Sequence, residues 1–280
     1  MIAPSIGPRR FDLRRLYTAA ALIPIVYVII SYFPPWALTL LLMTGGCLAL
    51  IELYRITLPS PPNRWLIAVG LSLSALVLAK HQLSLFVTDI LTIGTLAVPV
   101  TMLLSSGSFH RRLKETTLVA FGVLYVGFTL STVASTRLLP DGERLVIFLA
   151  LVTWAGDTGA YYAGTLFGKH PLAPSISPKK TVEGAIGGLA LAESAALLAH
   201  AWFVPELSLS DALALGLLLT AAGLSGDLWE SFIKRRAGVK DSGDILPGHG
   251  GMLDRLDSLL FTAPAFYYYV TYFRGLLPSP

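Results

Sequence analysis

The sequence predicts an all-α polytopic membrane protein with about nine spanning helices. Three features carry that reading: an excess of apolar residues, their grouping into stretches of spanning length, and a one-sided distribution of positive charge between the stretches. Of the 280 residues, 54% are hydrophobic and 14% charged, and the mean hydropathy is +0.66. Such a chain cannot hide its apolar surface in one soluble core, so a bilayer is its natural solvent.

A spanning helix needs about 20 mostly apolar residues. Stretches that meet or approach this length run over 17–33, 36–54, 65–79, 83–104, 117–138, 145–167, 184–204, 212–233 and 256–273. Pro34 and Pro35 separate the first two, and the third is short. The first follows Arg9, Arg10, Arg14 and Arg15, as the apolar part of a signal peptide would. Further spans follow at once, so an uncleaved first helix is expected. The lone Cys47 lies in an apolar run without a partner for a disulfide or a thiolate metal site, and reads as a packing residue.

Charge sets the orientation. With a cytoplasmic N-terminus, the inner segments hold seventeen of the 21 basic residues, and the outer ones keep only Lys80, Arg137, Arg144 and Arg274. That is the bias of the positive-inside rule. The excess of 21 basic over 17 acidic residues is therefore read as a topology signal, with no nucleic-acid partner expected.

Chemistry divides the chain. Residues 1–115 read as N-terminal transmembrane helices with a structural, dimerisation or lipid-access role. Their Glu52 and Asp89 lie near predicted helix ends and are expected to snorkel. Residues 116–280 read as the catalytic transmembrane domain and carry Asp157, Glu183, Glu193, Asp227, Glu230, Asp254 and Asp257. A carboxylate inside a span costs roughly 2.5 to 3.5 kcal/mol on insertion scales, so these groups are expected to share a polar site. Asp157 lies in Trp154-Ala-Gly-Asp-Thr-Gly-Ala-Tyr-Tyr162. Close helix packing explains its flanking glycines but not the aspartate.

Two loops add cations. Ser175-Ile-Ser-Pro-Lys-Lys-Thr-Val-Glu-Gly184 places Pro178, Lys179, Lys180 and Thr181 near a predicted helix start. There, backbone N–H groups and the helix dipole favour phosphate. A topology-setting dilysine fits the same residues equally well. Asp227 and Glu230 are three apart and share a helical face, which Ser231 and Lys234 extend. Asp254 and Asp257 share another, behind a glycine-rich turn carrying His249. Paired carboxylates with no cysteine and one nearby histidine favour Mg²⁺ over zinc. Five basic residues between Lys234 and Arg255 suit a polyphosphate. A purely structural ion network would use the same charges, but it would require neither the His-Gly-Gly turn nor the dilysine loop.

The segment Ser231-Phe-Ile-Lys-Arg-Arg-Ala-Gly-Val-Lys-Asp-Ser-Gly-Asp-Ile-Leu-Pro-Gly-His-Gly-Gly-Met-Leu-Asp-Arg-Leu-Asp257 resembles the diagnostic motif of the phosphatidate cytidylyltransferases, the CDP-diacylglycerol synthases. Serine, Lys-Arg, Lys-Asp, Leu-Pro-Gly-His-Gly-Gly, Asp-Arg and Asp all occur in the family's order. Ser177-Pro-Lys-Lys-Thr-x-Glu-Gly184 and Gly156-Asp-Thr-Gly-Ala-Tyr161 resemble the family too, so the resemblance is strong over 154–258. The N-terminal helices match in general character.

The resemblance implies reaction of phosphatidic acid with CTP, giving CDP-diacylglycerol and pyrophosphate, at a centre holding Mg²⁺ with K⁺ as candidate second cation. Asp227 and Asp254 are then expected as the principal metal ligands, with Asp157 and Asp257 as further ligands or their supports. Lys179 and Lys180 would hold nucleotide or pyrophosphate oxygens, while Lys234, Arg235 and Arg255 steer phosphates. Ser177, Thr181, Glu183, Gly250 and Gly251 would line the substrate site, and His249 would contact phosphate or shape the turn. A homodimer in a bacterial plasma membrane is implied, with the active site at the cytoplasmic side of the C-terminal helices. Competing readings are a CTP-dependent lipid-alcohol kinase and an ion-coupled transporter, although the latter usually shows repeats and midplane polar groups. A CDP-alcohol phosphotransferase is disfavoured by the missing Asp-Gly-x-x-Ala-Arg.

Overall fold

The computed structural model describes residues 13–58, 62–104, 107–243 and 250–276; Arg9, Arg10 and His249 lie outside these described residues. The helices are α1 (Leu13–Tyr32), α2 (Pro35–Thr57), α3 (Arg64–Leu78), α4 (Val87–Leu104), α5 (Phe109–Gly122), α6 (Thr129–Arg137), α7 (Gly142–Phe167), α8 (Val182–Trp202), α9 (Leu209–Arg236) and α10 (Leu253–Tyr268). A π-helical turn, Val123–Phe128, joins α5 and α6 into one rod, and a second, Tyr269–Phe273, extends α10. Every apolar stretch predicted from the sequence is helical. Among the described residues five rods, Pro35–Thr57, Phe109–Arg137, Gly142–Phe167, Val182–Trp202 and Leu209–Arg236, are long and apolar enough to cross a bilayer. The chain is a helical membrane protein.

Local chemistry sets the helix ends. Pro35 opens α2 at the first helical position, where its missing N–H is no loss and its fixed φ is already helical. Asn63 caps α3 by accepting from the Trp65 and Leu66 N–H groups. Ser208 and Asp211 form a reciprocal capping box at the start of α9. At 28 residues α9 is about 42 Å long, against about 30 Å of hydrocarbon, which lets its basic last turn of Lys234, Arg235 and Arg236 leave the apolar layer.

One stretch departs from expectation. Residues 171–181 form a β-hairpin of β1 (Pro171–Ala173) and β2 (Ser177–Thr181), antiparallel with Pro171 opposite Thr181 and Ala173 opposite Ser177. Pro178 therefore sits in a strand, not in the first turn of a helix. The physical reason is Thr181, which stays extended and accepts from the Gly184 N–H at 3.1 Å, so α8 starts only after it. Glu183 then ties the base of the hairpin by accepting from the Lys169 and His170 N–H groups at 3.0 and 3.2 Å.

The short hairpin makes α7 and α8 antiparallel neighbours. They meet backbone to backbone: a Cβ on Gly187 would overlap Ala163, and one on Gly159 would overlap the Gly187 carbonyl. Next, α8 packs on α9 and α9 on α10, which also touches α2, α6 and α7. Tyr54 anchors the N-terminal helices; it is buried and donates to the Val119 carbonyl at 3.0 Å, tying α2 to α5. Residue 115, the boundary between the two chemical halves, lies inside α5. At one end of the bundle Arg144 pairs with Glu206 and Arg274 with Asp211. The hairpin, the end of α9, the start of α10 and the last turns of α2 gather at the opposite end.

Candidate active site

Two polar clusters occupy that opposite end. In the first, Asp157 of α7 and Asp257 of α10 are joined through Ser258, and Gly226, next to Asp227 on α9, packs against the Asp257 carbonyl; Glu230, Lys180 and Arg255 lie around them. Lys180 projects from β2 and places its Nζ 2.6 Å from Asp227 Oδ2. The Ser258 hydroxyl donates to Asp157 Oδ1 at 3.1 Å, and the Ser258 N–H donates to Asp257 Oδ1 at 2.7 Å. Glycine makes the convergence possible, because a Cβ on Gly226 would overlap the Asp257 carbonyl and hold α9 away from α10. The Asp227 side chain remains 39% exposed, so it has room for a further partner.

The second cluster is more enclosed, although Glu230 Oε1 is buried without a hydrogen-bond partner. Lys234 Nζ lies 2.6 Å from Glu230 Oε2 and 2.6 Å from Asp254 Oδ1. Asp254 Oδ2 accepts from the Gly251 N–H at 2.8 Å, the Ser242 N–H at 3.1 Å and the Ser242 hydroxyl at 3.0 Å. That hydroxyl also reaches Glu52 Oε2 at 2.9 Å. Glu52 completes the cluster from α2, accepting from the Met252 N–H at 3.0 Å and the Leu253 N–H at 2.8 Å. A cavity of 570 Å³ opens beside it, with Arg55 on one wall and Asp241, Ser242 and Gly243 on the other.

The remaining sequence candidates divide between the site and its frame. Lys179 is exposed on β2, and Ser177 begins that strand half-buried. Thr181 and Glu183 fasten the hairpin to α8 through their side chains. Arg235 is exposed and donates to the Val239 carbonyl, and Arg255 is exposed beside the first cluster. Gly250 has φ +75°, a conformation that favours glycine, and Gly251 leaves no room for a Cβ between Ser242 and Glu52.

A second expectation is corrected. Glu52 does not snorkel: its relative exposure is 0%, and three donors from the distant α9–α10 connection meet its carboxylate. Those hydrogen bonds offset the desolvation that would otherwise drive the charge toward water. Asp89, by contrast, is exposed at the start of α4 and accepts from the Phe86 N–H. Sequence reading also passed over Ser242, inside the motif, and Ser258, just after it, which carry no signal beyond those places.

The donor set suits a hard cation. Among the described residues no three His, Cys, Asp or Glu side chains, Asp157, Asp227 and Asp257 included, stand close enough to form an all-protein metal cage. Mg²⁺ does not require one, since it typically takes one or two carboxylates and completes its shell with water and phosphate oxygens. Asp227, 39% exposed, fits that mode, whereas Asp254 would do so through Oδ1 only by displacing Lys234.

Apolar helices enclosing carboxylates and lysines at one end define a helical membrane protein with a charged cluster at that end. The sequence pattern of the Cytidylyltransferase family matches residues 13–273, and the chain belongs to that family. It is 33% identical over 270 residues to the phosphatidate cytidylyltransferase of Bacillus subtilis, covering 94% of this chain and 99% of that one. It is 46% identical over 142 residues to the phosphatidate cytidylyltransferase of Staphylococcus saprophyticus, 51% of this chain and 54% of that one. An Escherichia coli protein named uncharacterized protein YnbB is 38% identical over 217 residues, 75% of this chain and 71% of that one.

Proposed function

We propose that the chain is a phosphatidate cytidylyltransferase, joining the cytidylyl group of CTP to phosphatidic acid and releasing pyrophosphate. One observation carries this reading beyond family membership: Asp157, Asp227 and Asp257 converge from three helices beside Lys180, at the end of the bundle that also holds Arg255 and Lys234. A lipid phosphate oxygen attacks the α-phosphorus of CTP, and the bond to the pyrophosphate oxygen breaks. The lipid phosphate is already ionised near neutral pH, so no general base is needed. The difficulty is bringing two anions together, and preorganised positive charge lowers that barrier.

Lys180 and Lys179 hold nucleotide or pyrophosphate oxygens from the hairpin. Arg255, with Lys234 and Arg235, draws the phosphates toward the end of α9. Asp227 and Asp254, with Asp157 and Asp257 beside them, would hold Mg²⁺, with K⁺ as second cation. The metal, when bound, supplies charge neutralisation and alignment for in-line displacement. The orientation follows the same chemistry. We read the nine helical rods among the described residues as spans with the N-terminus cytoplasmic, which puts the site on the side where CTP is available. Residues 1–115 serve as a structural half, and the protein works as a homodimer in a bacterial plasma membrane.

The test is turnover of radiolabelled CTP by the purified protein in detergent with phosphatidic acid and Mg²⁺. Labelled CDP-diacylglycerol and released pyrophosphate are expected, and EDTA should abolish both. Release of CDP in place of pyrophosphate would assign a kinase reaction instead. Replacing K⁺ with Na⁺ tests the second cation by the loss of rate.

A further inference from the structure

We infer that Glu52 is a positioning residue of the site, a carboxylate from the N-terminal half that fixes the turn on which Asp254, Arg255 and Asp257 are mounted. This rests on the cytidylyltransferase reading for its catalytic consequence, but its structural content is independent of it.

Three observations converge on it. First, α10 has no cap of its own: Met252 stands at its N-cap position and offers no side-chain hydrogen bond. Glu52 does that work from a helix 201 residues away, accepting from the Leu253 N–H at 2.8 Å and from the Met252 N–H at 3.0 Å. A negative charge at this position also meets the positive end of the helix dipole. Second, the turn is shaped around the carboxylate. A Cβ on Gly243 would stand 2.7 Å from Glu52 Oε1, and one on Gly251 would overlap Glu52 and Ser242. Part of the glycine content of the connection is thus the imprint of a side chain on α2. Third, the Ser242 hydroxyl stands 2.9 Å from Glu52 and 3.0 Å from Asp254. It has one proton to donate, so it serves one carboxylate at a time and links their positions.

Glu52 touches no reacting atom. It acts through the turn: α10 begins at Leu253, Asp254 follows within its first turn, and Asp257 lies one turn further on. A displacement of about 1 Å at groups that align reacting phosphates can cost on the order of 100-fold in rate.

The experiment compares wild type with E52Q, S242A and the double variant in detergent, with K180A as contrast. E52Q keeps the shape but replaces an acceptor oxygen by an N–H₂ that faces donors. E52Q is expected to lower kcat about tenfold or more while KM for CTP moves less than about threefold. S242A should lower kcat by less. The double variant should resemble E52Q alone, because both changes act on one network. K180A should instead raise KM for CTP and multiply with E52Q.

Hydrogen–deuterium exchange on the same samples reads the turn without turnover, and E52Q should accelerate exchange at the amides of Gly251, Met252 and Leu253. Unchanged kcat in E52Q, or a loss that only follows the folded fraction seen by size exclusion, overturns the positioning role. Should E52Q not yield folded protein, S242A decides, and wild-type kcat there overturns the proposal. Wild-type protein that turns over no CTP, yet shows faster exchange in E52Q, would refute the cytidylyltransferase reading and leave the fixing of the turn standing.

Discussion

Asp227 and Asp254 look alike in the sequence, each an aspartate close to glycine and a basic cluster, but they occupy opposite kinds of environment. Asp227 meets one cation, Lys180, and is 39% exposed. Asp254 is 12% exposed; one oxygen meets Lys234, and the other is filled by Gly251 and Ser242. One carboxylate is free to exchange its partner for a ligand. The other spends half its capacity holding the backbone that carries it. Carboxylates at one end of a membrane protein thus divide between those left open to a ligand and those building the support around them, and type and spacing do not separate the two.

The sharpest way to break this comparison is Asp227→Asn. Turnover should fall by about 100-fold or more, the scale of losing a preorganised electrostatic group, while the melting temperature stays near wild type. A stability loss in place of an activity loss would place Asp227 in the frame. Asp254→Asn should do both. Replacing an acceptor of four donors costs about 1.5 to 3 kcal/mol for the charged bond alone, so the melting temperature should drop by roughly 5 °C along with activity. An active, fully stable Asp254→Asn protein would contradict the enclosed cluster.

Smaller effects sharpen the boundary between site and frame. Lys180→Ala should raise KM for CTP about tenfold with a smaller change in kcat, as the loss of one charge-assisted contact implies. If steady-state kinetics show KM unchanged, the hairpin lysine pairs with Asp227 for structure alone. Thr181→Val is expected to have the smallest effect. It removes the α8 cap and about 1 kcal/mol of stability, readable by thermal unfolding, with kcat preserved in the folded protein.

Much of the candidate site was legible because its residues lie close together in the chain. Asp227, Glu230 and Lys234 share a helical face by spacing, and Asp254 and Asp257 do so again, which is a local property of any α-helix. The hairpin was less legible: Lys179, Lys180 and Thr181 read as the approach to a helix, and only the pairing of Pro171 with Thr181 makes them a strand. Glu52 was visible as a charge near a helix end, but its partners were not. It sits in the apolar run Leu50-Ile-Glu-Leu-Tyr54, more than a turn inside the end of α2, and the partners that hold it lie at Ser242, Met252 and Leu253.

The sequence by itself determined the solvent, the helices and the chemical class. Hydropathy, helix punctuation by proline and asparagine, and a motif of consecutive polar residues are all properties of short windows. Tertiary structure alone decided which carboxylates are open and which are closed, and that the N-terminal half reaches into the site through Glu52. The physical reason is that hydrogen-bond saturation and burial depend on partners brought from other helices. A charge in an apolar span declares only that it needs a partner, and the fold determines whether that partner is the protein's own backbone or a ligand.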